Sequence, residues 1–265
     1  MNKKYELIEH TNYFTLYQIK ALIDIPERDV KAGDLGGYIE FENNLSHEGL
    51  CWVGNGACVY GNARVFGNGW VYGKAHVYDN AKIFDNASVH GEAIVHSWGH
   101  VCGNAQVFGD ARLYGAAWVF GNAQVYGNAK VYEKARIYDR AEVFDFANVY
   151  AAAWVYGQAQ VYGDGLIYGY AHVCGSAKLY GNTKLYAHSV LTGGNWSKTP
   201  IAIIGSRDYV CQCNIYEIKI GCHVLTFDEW LEQYEEIGKE QYYNNEEIKE
   251  YKSIIDFIIN TNKPT

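Results

Sequence analysis

From Val53 to Leu191 every sixth residue is Val, Ile or Leu, 24 times in succession without an insertion. Two residues before each of these beats stands a small side chain: 18 Ala, three Gly (Gly69, Gly99, Gly165), and Cys51, Thr183 and Ser189. The residue after each beat is Tyr or Phe in 18 of the 24 hexads. A short fixed period of this kind marks a solenoid, in which each repeat buries its apolar side only against the next.

The order within a hexad is small, variable, aliphatic, aromatic, then two turn residues. Positions two apart on a strand share a face, so the small and aliphatic residues point inward and their neighbours outward. The turn pairs, such as Gly61-Asn62, Gly121-Asn122, Gly127-Asn128, Asp79-Asn80 and Asp85-Asn86, are residue types that accept the left-handed backbone of a tight corner. Each hexad therefore reads as a short strand and a corner. Three edges close a triangular coil of 18 residues, and the 24 hexads predict about eight coils, roughly 38 Å long at about 4.8 Å per coil.

This pattern over Cys51–Gly194 resembles the hexapeptide-repeat left-handed β-helix family. The resemblance implies an all-β solenoid, a left-handed triangular parallel β-helix; spacing alone does not give the hand, since most parallel crossovers are right-handed. The chain departs from the family at the position after the aliphatic, which is small or acidic there and aromatic here.

Net charge is −8 and unevenly placed. Residues 1–50 carry 9 acids and 5 bases, residues 51–194 carry 9 and 10, and residues 195–265 carry 12 and 7. A solenoid so close to neutral argues against a phosphate-binding stripe and makes a nucleic-acid partner unlikely as a sequence reading. Seven cysteines are an odd number. Cys58, Cys102 and Cys174 read as outward, Cys51 as inward, and Cys102 and Cys174 lie four coils apart, too far to pair. No apolar run follows Lys3, Lys4 and Glu6, and no stretch is long enough for a membrane helix. The expectation is a reducing cytoplasmic setting with no membrane association.

Residues 1–50 read as a capping segment, since a bare first coil exposes its core and its unpaired strand groups. Alternation around Tyr5–Ile8 and over Tyr13–Ile25 predicts two strands. The segment Val30–Ile39 with Asn44-Leu45-Ser46 looks like the leading segment of YdcK-like β-helix proteins, many of them bacterial or prophage-encoded. After Gly194 the period stops, and residues 195–265 read as a C-terminal α+β cap. A loop and short strands at Ile201–Gly205, Tyr209–Cys213 and Ile215–Ile220 come first. A capping box, Thr226-Phe227-Asp228-Glu229, then opens a helix. Phe227, Trp230, Leu231, Tyr234 and Ile237 mark its apolar face, and a second helix turns Ile248, Tyr251, Ile255 and Ile258 inward. Both helices are expected to cover the last coil. This tail is similar to segments of uncharacterised phage proteins from Gram-positive hosts.

Outward residues recur every 18 positions and form columns. One column is Tyr60, Tyr78, His96, Tyr114, Tyr132, Tyr150, Tyr168 and Tyr186; a second runs from Tyr72 through His90 to Tyr180; a third runs from Phe66 to Cys174. Such rings stack as a ladder, and as a strip they also offer a contact surface. Tyr78, His96, Tyr114, Tyr132, Tyr150 and Tyr168 are therefore candidate binding residues, joined by Trp118, Arg136 and Trp154 in successive coils, where the guanidinium is expected between two indoles. His90, His96 and His100 share a coil but point to different faces. Cys211, Cys213, Cys222 and His223 are zinc-ligand types without finger spacing, and strand alternation explains them equally. No metal site and no cofactor is expected.

Three functions remain open on the sequence. The first is a non-enzymatic binding or scaffold protein, phage- or prophage-encoded, that self-associates through an aromatic face or meets a host protein, including a defence protein. The second is an acyl-coenzyme A-dependent acyltransferase, which the hexapeptide-repeat resemblance implies. No loop interrupts the 24 hexads to build its site, and His76, His90, His96, His100, His172 and His188 are the solenoid candidates for a base. The third sequesters a small molecule or nucleotide between subunits.

Overall fold

The computed structural model describes residues 3–9 and 16–261. Its body is a β-solenoid of parallel strands, each two residues long, that stack into three walls. Wall 1 runs from Cys58–Val59 to Lys184–Leu185, wall 2 from Arg64–Val65 to Val190–Leu191, and wall 3 from Trp52–Val53 to Asn195–Trp196. Up to the last pair of wall 3, each strand pairs in register with the strand 18 residues on, as His100↔Trp118 and Val101↔Val119 do. The expected inward face is the observed one. All 24 beat residues are buried, and so are the small residues two places before them. Burying one such Val contributes on the order of 1.5 kcal/mol, offset by the entropy lost in ordering its hexad.

The corners show why Gly and Asp recur. At the second residue after the beat, φ is positive in every coil from Gly61 to Ala187. Glycine adopts this freely. Where the residue is Asp, its carboxylate accepts the backbone N–H of the corner one coil on: Asp79 from Ser97, Asp85 from Gly103, Asp139 from Gly157 and Asp145 from Gly163, at 3.0–3.2 Å. The strained backbone is thus offset by a charge-assisted bond to a donor at the corner. On the next corner position Asn68, Asn86, Asn104 and Asn122 form a side-chain amide ladder with 2.9–3.1 Å bonds.

The solenoid is longer than the period shows, about nine coils rather than eight. Ile39 pairs in parallel with Val59 and Leu45 with Val65, so these residues occupy two earlier edges. Between Leu45 and Val53 the spacing widens to eight residues, which hides them from a search at six. At the other end Trp196 pairs with Leu179, after an edge shortened to five residues. The stretch after Gly194 therefore continues wall 3 before the coil ends.

The small-residue column departs from Ala and Gly only at Cys51, Thr183 and Ser189, all at its ends, and each of these makes a capping bond. Thr183 Oγ1 lies 2.7 Å from the Tyr180 carbonyl and 3.1 Å from that of Trp196. Ser189 Oγ is 2.7 Å from the Tyr209 hydroxyl. Cys51 meets Lys4, whose ammonium is buried and donates to the carbonyls of Glu48, Gly49 and Cys51 at 3.4, 3.2 and 2.8 Å. A lysine thus satisfies carbonyls that a further coil would otherwise have met.

Tyr5–Glu9 and Tyr17–Ala21 pair antiparallel, and the second strand pairs with Leu35–Ile39, which carries wall 1 upward into a capping hairpin. The part of the expected second strand at Tyr13–Thr15 lies outside the described residues. At the far end Ala202–Ile204, Tyr209–Gln212, Glu217–Ile220 and His223–Thr226 form an antiparallel sheet. Two helices follow, α1 (Phe227–Glu240) and α2 (Asn245–Thr261). The capping box forms as expected: Thr226 accepts from the Glu229 N–H, and Glu229 accepts from the Thr226 N–H. The helices do not cover the last coil. They pack on one face of the four-stranded sheet, around Val210, Ile218, Ile220, Trp230, Tyr251 and Ile255. The sheet itself meets the coil through Ser189–Tyr209 and the Thr192 N–H donating to the Cys213 carbonyl. Leu231, expected inward, is exposed.

Candidate aromatic and basic surface

The six candidate residues of the first column lie in one unbroken stack along wall 1. Centroid spacings from Tyr78 through His96, Tyr114, Tyr132 and Tyr150 to Tyr168 are 4.8–5.3 Å, with planes within 6°. The rise of one coil sets this spacing, because each ring directly follows the wall 1 strand of its own coil. The rings are half-buried and show their edges to solvent. Burial, followed by the neighbouring Tyr114 and Tyr150 phenols, pushes the Tyr132 phenol up to about 12. Cys58, Cys102 and Cys174, expected outward, are 7–9% exposed. Burial raises the Cys102 thiol to about 11, so it is a poor nucleophile at neutral pH.

Trp118, Arg136 and Trp154 pair in register on wall 2, as expected. The column that holds them reads Arg64, Lys82, His100, Trp118, Arg136, Trp154, His172 and Val190. The cation–π contact is one-sided: Arg136 lies over Trp154, 5.2 Å from its ring centroid. Each indole instead takes a histidine on its other side, His100 on Trp118 at 4.3 Å and Trp154 on His172 at 5.0 Å. Trp118 and Arg136 remain exposed.

The near-neutral sum over residues 51–194 hides a segregation of charge. Of its nine acids only Glu142 stands at an outward strand position; the other eight stand at corners. Of its ten bases seven stand on the walls. The wall 2 column carries Arg64, Lys82 and Arg136 and no carboxylate. Sequence reading missed this because it summed by region rather than by position within the hexad, where the signal was present.

The two sets of candidate residues occupy adjacent walls, and the corner between them is cut back. Where the corner between walls 2 and 3 carries Asn68, Asn86, Asn104 and Asn122, this edge has Ala116 and Ala152, and with Ala151, Glu133, Lys134 and Tyr170 they line an open notch of about 470 Å³. Trp98 and Tyr170 stand out along the same edge, 57% and 61% exposed.

Burial lowers the pKa values of His90, His96, His100 and His172. For His96 the Asp79 carboxylate at 3.7 Å opposes this but does not overcome it. In the unfolded chain an imidazole titrates near 6.5. The unfolded state therefore binds more protons as pH falls through about 6.5, and stability, full above that value, declines below it until the folded rings protonate too. We expect the melting temperature to fall between about pH 7.5 and 5.5. His90→Phe, which keeps the stack with Tyr72 and Phe108, should flatten that slope. An unchanged slope means the imidazoles are not its source.

The four zinc-ligand types are not gathered. Cys211 and Cys213 are buried and alternate with Val210, so they lie on the sheet face away from the helices, whereas His223 packs edge-on against Trp230 in the helix-side core. Cys222 is exposed, 3.6 Å from His223 Nδ1. Among the described residues no group of three or more His, Cys, Asp or Glu is placed to hold a metal ion. No described helix is long and apolar enough to cross a membrane.

Residues 57–73 match the family model of the YdcK β-solenoid repeat. The match covers about one coil, from the Cys58–Val59 strand through Arg64–Val65 to Trp70–Val71, and is a likeness of the repeat. No curated protein matches the chain.

Proposed function

We propose that this chain is a non-catalytic binding or scaffold protein that works through its solenoid walls, self-associating through one of them and engaging a host protein. The observation that carries this reading is the wall 2 column, where Trp118, Arg136 and Trp154 stand in register beside Lys82 and His100 without a carboxylate among them. Trp, Tyr and Arg are the residue types that dominate interface energetics. Both solenoid ends are closed by capping segments, which leaves the walls as the surface on offer. The half-buried tyrosine stack on wall 1 holds the adjacent face rigid, which lowers the entropy lost on docking.

A phage- or prophage-encoded role, with a host defence protein as target, belongs to this reading. It rests on the resemblance of the leading segment and the tail.

Light scattering on the purified protein tests the self-association. The wild type should run as an oligomer. A variant carrying Trp118→Ala, Arg136→Ala and Trp154→Ala should keep its melting temperature within a few degrees and dissociate, each truncated anchor costing about 2 kcal/mol or roughly 30-fold in affinity. A strictly monomeric wild type that also captures no host protein in a triple-variant-sensitive way rejects the proposal. A rise of several degrees in melting temperature with coenzyme A points to the acyltransferase instead.

A further inference from the structure

Lys4 and Cys51 are 47 residues apart in sequence, and Lys4 Nζ lies 3.1 Å from Cys51 Sγ. Both side chains are shut off from solvent, at 1% and 0% exposure. Lys4 Nζ is anchored by the carbonyls of Glu48, Gly49 and Cys51, and Cys51 Sγ lies 3.3 and 3.4 Å from the carbonyls of Ser46 and Glu48. Cys51 occupies the small-residue position that Ala fills in most hexads, and it is the one Cys in that column of 24. An alanine there packs as well but presents no sulfur to the amine.

We propose that this pair is a site of oxidative cross-linking, in which dioxygen joins Cys51 Sγ to Lys4 Nζ through a single bridging oxygen. The thiol, the ammonium and one molecule of dioxygen give S–O–N–H, one water and one proton. Sulfur and nitrogen each give up two electrons. One oxygen atom takes two of them in the bridge, and the other takes two in the water. An S–O–N link spans slightly less than the observed N···S separation, so the two atoms approach without moving either backbone. A direct S–N bond needs a much larger approach. Dioxygen is small and apolar and reaches sites closed to larger oxidants.

The link fastens the capping hairpin to the top of the solenoid. Solenoids unfold most readily from their ends, so a covalent tie at this point acts where opening begins, and reduction releases it.

The test compares full-length protein held under oxygen with protein held under dithiothreitol. After denaturation, alkylation and digestion, the oxygen-treated sample should yield a Lys4 peptide joined to a Cys51 peptide, one oxygen heavier and two hydrogens lighter than the pair. Dithiothreitol should return both peptides. The melting temperature should fall by several degrees on reduction, and in Lys4→Arg, which keeps the donors but lacks the amine, it should be insensitive to reductant. Complete alkylation of Cys51 in denatured, oxygen-treated wild type overturns the proposal whatever the variant does. So does its conversion to a sulfinic acid with no linked peptide.

Discussion

Leu113→Ala is expected to cost about 3–5 kcal/mol of stability, the upper part of the range for a buried leucine. Leu113 is completely buried on wall 1, between Val95 and Val131 on the neighbouring coils. The cavity has little means of collapsing. Each neighbour is fixed by coil-to-coil bonds that repeat every 18 residues, as in His96 N–H to the Leu113 carbonyl and Tyr114 N–H to that of Val131, both 3.0 Å. The wall moves inward only if several coils shift together. Because each coil contacts only its neighbours, the defect should also divide the solenoid into two segments that lose cooperativity with each other. Denaturant titration with fluorescence reads both effects. Arg112→Ala, one residue away and exposed, should stay within about 0.5 kcal/mol. A cost for Leu113→Ala below about 1 kcal/mol means that the interior is not close-packed.

Gly37→Ala should be similarly severe, at about 3 kcal/mol, for a different reason. A Cβ at this position falls 2.4 Å from the Gly54 carbonyl oxygen, 2.5 Å from that of Ala57 and 2.8 Å from Val53 Cγ1. Two of the three obstacles are backbone atoms, which cannot rotate away. The methyl group therefore forces the Leu35–Ile39 strand off Cys58–Val59 and separates the capping hairpin from the first full coil. Hydrogen exchange should show lost protection at Tyr38 and Glu40, whose N–H groups donate to Ala57 and Val59, while the central coils keep theirs. Gly193→Ala is the control: its nearest neighbour is Ser176 Oγ at 3.8 Å, and its cost should be below about 0.5 kcal/mol. Equal exchange in the two variants means that the hairpin is not held at this seam.

Where the sequence was read correctly, the information was local and repeated. Ala and Val two residues apart must share a face, whatever surrounds them, and the beat of six fixes which residues stack 18 positions on. Tyr114 above Tyr132 and Trp118 beside Arg136 follow from that arithmetic. The partners of Arg136 do not. Ring and guanidinium orientations depend on side-chain rotamers, and the structure places Arg136 over Trp154 while His100 stacks on Trp118. The separation of bases onto walls and acids onto corners was legible, but only to a count taken by hexad position.

The strict period by itself determined the stacked, three-walled architecture, the identity of the core and the order of the outward columns, because each requires only nearest-neighbour geometry. The tertiary structure alone decided how the column ends. Ile39, Leu45 and Trp196 join it across irregular spacings. The two helices settle on the far face of a separate sheet. Lys4 becomes buried against residues more than forty positions away. At an end there is no next coil to supply the missing hydrogen bonds, so whichever distant segment satisfies them decides the structure, and no local pattern encodes that choice.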